Sequence, residues 1–110
     1  MGQSEKNFEN RVKKYLESVG VYALGTPTDK MPIPSVGYFE KRWGCIKSGL
    51  PDLHICINGK SIEVELKKET GTPKPLQLFM INQMNAAGGK AILLYPKDFE
   101  HFKDLIEGYL

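Results

Sequence analysis

The stretch "GLPDLHICINGKSIEVELKKETG", residues 49–71, decides how the rest of the chain is read. At its centre Asn58-Gly59 separates "LHICI" (53–57) from "KSIEVELK" (60–67), two segments that alternate apolar and polar residues. Asn-Gly between alternating segments is the strongest short-range hairpin signal, because a type I′ turn needs positive φ at both central residues. A two-residue turn sets Ile57 opposite Lys60. Ile55 then faces Ile62, Leu53 faces Val64, His54 faces Glu63 and Asp52 faces Glu65. A three-residue turn would slip this register by one. One face of the hairpin is apolar, and the other carries Asp52, His54, Glu63, Glu65 and Lys67.

Directly opposed residues have Cβ atoms about 4.5–5.5 Å apart, and like charges there destabilise the sheet. Lys67, on the same face as Glu65, offsets part of the repulsion. A divalent cation would offset more. Hard oxygen donors suit Mg²⁺ or Mn²⁺, which keep several waters and also take a phosphate oxygen. A lysine beside such an ion can stabilise developing phosphate charge or orient a water. A solvated strand face is the plain reading of "ELK" alone; Asp52 opposite Glu65 favours a site.

Outward from the hairpin, residues 72–89 read as a helix with Pro75 in its first turn. Leu76, Phe79, Met80, Met84 and Ala87 form its apolar stripe, and Gly88-Gly89 ends it. "KAILLY" (90–95) is a continuous apolar run of the kind found in a central parallel strand. Asp98 is placed to cap a last helix with Phe99, Phe102, Leu105, Ile106 and Tyr109 on one face. Before the hairpin, residues 4–19 read as an amphipathic helix with Ser4 as N-cap. Phe8, Val12, Tyr15, Leu16 and Val19 recur at helical spacing, and Gly20 closes it. "VYAL" (21–24) reads as a short strand. Residues 25–48 are Pro- and Gly-rich and read as an extended loop, of a length that is often functional. Within it, "YFEKRW" interleaves aromatics with basic residues, as a stacking surface for nucleic acid does. A strand or turn whose aromatics complete the core is an equal reading. The expected fold class is α/β: a restriction-endonuclease-like core, with a mixed sheet around a central hairpin and helices flanking it.

A length of 110 residues fits one domain spanning 1–110. No apolar run reaches the roughly 18 residues of a membrane span, and the first ten residues lack a signal-peptide core. These features point to a cytoplasmic protein with no membrane partner. Cys45 and Cys56 with His54 and His101 do not form a zinc pattern, so both cysteines read as free thiols. Net charge is +2, but residues 98–110 carry Asp98, Glu100, Asp104 and Glu107 against Lys103 alone. The chain before them is therefore distinctly basic, which suits a polyanion partner.

"GLPD", twelve residues, then "ELK" resembles the PD-(D/E)XK nuclease signature, through Pro51-Asp52, Glu65, Leu66 and Lys67. The surrounding order is similar to one branch, the virus-type replication-repair nuclease (VRR-NUC) domain. That branch has a helix bearing Glu (here Glu5), "GLPDL", "ELK", a Gln near the next helix start (Gln77), a Gly (Gly88) and an apolar strand. The similarity runs from about residue 4 to residue 96. It implies a Mg²⁺- or Mn²⁺-dependent endonuclease of bacterial or phage type. Asp52, Glu65 and the carbonyl of Leu66 would hold the metal. Lys67 would assist the attacking water, and Gln77 and Glu5 would complete the site. Glu9, one turn after Glu5, is its rival. Glu63 shares the site face, as a second-metal ligand or a solvated residue, and so does His54, a candidate general base. Lys41, Arg42, Lys47, Lys68 and Lys74, with Tyr38 and Trp43, are the expected DNA contacts. Branched DNA such as a four-way junction, cut by a homodimer, is the favoured substrate. A restriction-type nuclease on linear DNA and a DNA-binding module that does not cut are the alternatives.

Overall fold

The computed structural model describes residues 5–42 and 49–110. Ser4, Trp43, Cys45 and Lys47, singled out above, lie outside them. The chain forms α1 (Glu5–Ser18), β1 (Val21–Ala23), β2 (Gly37–Lys41), β3 (Leu53–Ile57), β4 (Lys60–Leu66), α2 (Pro75–Ala86), β5 (Ala91–Leu94) and α3 (Phe99–Glu107). Single 3-10 turns at Thr28–Lys30 and Pro96–Asp98 interrupt the connections. The five strands make one mixed sheet in the order β1-β2-β3-β4-β5, flanked by helices. β1 runs parallel to β2 and β4 parallel to β5, while β2, β3 and β4 are antiparallel neighbours.

The central hairpin has the register that the two-residue turn requires: Leu53 opposite Val64, His54 opposite Glu63, Ile55 opposite Ile62, Ile57 opposite Lys60. Asn58 and Gly59 take φ of 49° and 83°, the left-handed pair that a type I′ turn demands. Leu53, Ile55, Ile57, Ile62, Val64 and Leu66 are wholly buried on one face. Against them pack Phe8, Val12 and Leu16 of α1 with Phe99, Phe102 and Ile106 of α3. The α1–α3 contact is aromatic, Phe8 and Phe99 meeting edge-on at 6.1 Å. Full burial of each such side chain contributes roughly 1.5–3 kcal/mol.

Four expectations are corrected. The segment 25–48 is not one extended loop, for residues 37–41 are strand β2 between β1 and β3. Only Phe39 of that strand is buried, which hides its alternation among polar and charged neighbours. The α2 stripe is also rotated. Ile81 is its buried residue, while Leu76 is exposed and Phe79 is 58% exposed. The α2 sequence is apolar or amide throughout and has no polar face to define its orientation. Contacts with the second sheet face set it instead. There Asn85 clasps the start of β5 through both the N–H and the carbonyl of Ala91, at 2.8 and 2.9 Å. α3 begins at Phe99, and Asp98 makes no side-chain cap to it. β5 runs parallel to β4 as expected but is an edge strand of the described sheet rather than a central one, and Ile92 and Leu93 are only half-buried.

Candidate active site

The site lies where β3 begins and β4 ends, beside the first turns of α1 and α2. Gly49 and Pro51 shape the approach to β3. Gly49 has φ of +86°, and a Cβ there would stand 2.6 Å from Cγ of Leu76. Only glycine tolerates both the conformation and the contact. The loop can thus lie against the start of α2 and deliver Asp52 to the sheet end.

Asp52 is held at both oxygens. Its Oδ1 accepts the main-chain N–H of Leu66 at 3.1 Å, and its Oδ2 lies 3.4 Å from Nζ of Lys41. The Asp52 carbonyl also accepts the N–H of Arg42, continuing the β2–β3 ladder. Glu65, one residue before Leu66, is only 5% exposed. Nε2 of Gln77 donates to its Oε2 at 3.0 Å. Oε1 of Gln77 accepts the Lys74 N–H at 2.8 Å, so the first turn of α2 fixes the amide that fixes the carboxylate. Nζ of Lys67 stands 3.7 Å from the same Oε2.

Burial raises the Glu65 pKa most, and the Asp52 charge raises it further, to about 7. Lys67 and the main-chain N–H of Asp52 pull the other way without cancelling this, and Glu5 adds a small push upward. The charge of Glu5, exposed in the first turn of α1, is therefore felt at Glu65. Two carboxylates confined together with one of them nearly dry is a costly arrangement for a folded chain. Among the described residues, no three or more His, Cys, Asp or Glu side chains are gathered so that they could hold a metal. The pair Asp52 and Glu65 fits Mg²⁺ or Mn²⁺, which bind through one or two carboxylates and retain waters.

Glu9 has a different surrounding from Glu5. It is 6% exposed, with Nζ of Lys13 at 2.7 Å, Lys41 at 2.8 Å and Lys6 at 3.4 Å. Burial acts to raise its pKa, but hydrogen bonds and charge from Lys13 and Lys41 outweigh it and bring the value down to about 2. Lys41 is likewise held charged: burial would lower its pKa, and Glu9 and Asp52 together raise it instead. Among the described residues, Glu9 thus connects to Asp52 through Lys41. The sequence signal was an acid at position 9 beside the buried stripe Phe8, Val12 and Leu16.

Glu63 and His54 form a second cluster on this face. Glu63 Oε2 is 2.8 Å from Nδ1 of His54, and its Oε1 pairs with Arg42. Arg42 also donates to the Pro51 carbonyl at 3.0 Å, and the Tyr38 ring lies 6.0 Å from His54. Of the expected DNA contacts, Lys41 and Arg42 are thus engaged inside the protein and Tyr38 is half-buried, whereas Lys68 and Lys74 are exposed. Cys56 is a free thiol and His101 lies on the exposed side of α3.

No protein-family model matches the chain, nor does any curated protein or solved structure. Among the described residues no helix is long and apolar enough to cross a membrane.

Proposed function

We propose that the protein is a Mg²⁺- or Mn²⁺-dependent endonuclease that hydrolyses phosphodiester bonds in DNA, with branched DNA such as a four-way junction as its substrate. The observation that carries this reading is Glu65, a nearly dry carboxylate set beside Asp52, with Lys67 and Gln77 aimed at it. A fold needs no such repulsion for its own stability, and pure nucleic-acid binding needs cations rather than opposed acids.

Asp52 and Glu65, with the Leu66 carbonyl, would hold the metal, which supplies Lewis acidity to the phosphoryl oxygen and a more acidic bound water. Leu66 N–H fixes the Asp52 carboxylate and Gln77 fixes that of Glu65, so neither has to be ordered when substrate arrives. The Lys67 ammonium offers positive charge where the phosphate becomes more negative. Burial of Glu65 keeps bulk water from screening these charges. The net positive chain suits a polyanion, and a homodimer would present two such sites to two strands. The cytoplasm of a bacterial or phage-infected cell is the setting this reading implies.

The test is cleavage of end-labelled linear duplex, single strand, flap and four-way junction, each with Mg²⁺, Mn²⁺ or EDTA. Metal-dependent cutting that disappears in Lys67→Ala, with the junction preferred, is the expected result. Preference for linear duplex would turn the reading to a restriction-type enzyme. Junction binding with no cutting under any metal would leave a binding module.

A further inference from the structure

Glu9 is a buried acid with three lysines around it, and catalysis as proposed leaves it no task. It is anchored on α1 and arrays Lys6, Lys13 and Lys41 about one carboxylate. Lys41 touches Asp52, so the array reaches the candidate site without a gap. In the other direction Lys13 shares the solvent-facing side of α1 with Asn7, Asn10, Arg11, Lys14 and Glu17. Arg11 is held in place over the Phe99 ring, its guanidinium carbon 4.6 Å from the centroid. Lys, Arg and Asn side chains are the groups that bind phosphate oxygens.

From this geometry we infer that the exposed face of α1 is a phosphate track, along which Lys14, Lys13 and Arg11 grip the backbone of a nucleic-acid strand that runs on past Lys41 to Asp52. This rests on the proposed nucleic-acid reading and adds a surface to it. The face carries Arg11 and Lys14 against one acid, Glu17, and adds Lys13, whose ammonium it shares with Glu9. Glu9 is satisfied internally and does not face the track as a repelling charge. A solvated helix would show scattered charges with no connection to the site; here one side chain, Lys13, belongs both to this face and to the Glu9 cluster.

The experiment is equilibrium binding of a labelled four-way junction by the full chain in EDTA, followed by fluorescence anisotropy across a salt series. Each phosphate contact contributes about 0.9 to the slope of log K against log salt. Lys13→Gln/Lys14→Gln is expected to reduce the slope by about 2, and Lys14→Gln alone by about 1. Lys14 is exposed, so its variant keeps the question open to refutation if the double variant is unstable. Lys90→Gln, which removes the same charge beside Gly88 and Gly89, should leave the slope unchanged. An unchanged slope in folded α1 variants, or an equal drop in all variants, overturns the track and leaves the nuclease reading standing. A wild-type protein that binds no junction at low salt overturns both.

Discussion

Oδ1 of Asp52 accepts the main-chain N–H of Leu66 at 3.1 Å, which ties the residue before β3 to the last residue of β4. The bond closes the hairpin beyond its last ladder pair and holds the Asp52 carboxylate beside Glu65. Asp52→Asn keeps an oxygen that can accept this N–H but removes the charge. Its stability should stay near wild type, while the Glu65 pKa falls, since one of the causes raising it is gone. Asp52→Ala leaves a buried N–H without a partner and should cost about 1–3 kcal/mol. Denaturant unfolding of both variants, with an NMR titration of Glu65, checks the pair.

Glu65 gives the metal-free protein a definite pH response. Its folded pKa, raised to about 7 by burial and by Asp52, lies above the ordinary 4.5. The folded state therefore holds the proton more tightly. Its stabilising effect is complete below about pH 4.5 and is lost as pH rises to about 7. Melting in EDTA should fall across this window and flatten in Glu65→Gln. A wild-type melting temperature constant from pH 4.5 to 7 would contradict the burial of a free carboxylate here.

Glu9 acts in the opposite sense. Its folded pKa, lowered to about 2, makes its contribution complete above about pH 4.5 and lost as pH falls toward 2. Glu9→Gln removes charge-assisted hydrogen bonds to Lys13 and Lys41 and should destabilise by roughly 1–3 kcal/mol at neutral pH. The difference from wild type should shrink on acidification, as read from urea unfolding at pH 7 and at pH 3.

Gly49→Ala tests the route by which the loop positions the site. The left-handed conformation costs about 1–2 kcal/mol for a residue with a Cβ, and the new methyl meets Leu76 at the start of α2. Displacement of that turn should loosen Gln77 from Glu65 and, on the proposed nuclease reading, lower cleavage. Leu76→Ala in the same chain should recover the steric part and leave the backbone part, a separation that a double-mutant cycle measures.

Lys67→Ala should lower the cleavage rate by about 100-fold or more if its ammonium stabilises developing phosphate charge. Metal-free melting should be little changed or slightly lower, because Lys67 is a counter-charge to Glu65. Single-turnover cleavage and melting of one preparation separate the two effects.

Local signals in the chain settled the hairpin and its register, from Leu53 opposite Val64 to Ile57 opposite Lys60. A tight Asn-Gly turn propagates a local φ requirement along two strands whose alternation is strict. Local signals also settled the succession of β4, α2 and β5, because Pro75 and Gly88-Gly89 mark the limits of α2 locally. Packing settled what the local pattern left open, such as whether residues 38–41 lay in a strand or in a loop. Strand β2 exists because β1 and β3 offer it hydrogen bonds, and its charged residues Lys41 and neighbouring Arg42 find partners in Glu9 and Glu63 from other elements. The rotation of α2 followed from its contact with the sheet, since a helix of apolar and amide residues carries no polar face of its own. Glu5 and Glu9 share one side of α1, and only the packing of that helix distinguished a charge felt at Glu65 from a buried anchor for lysines.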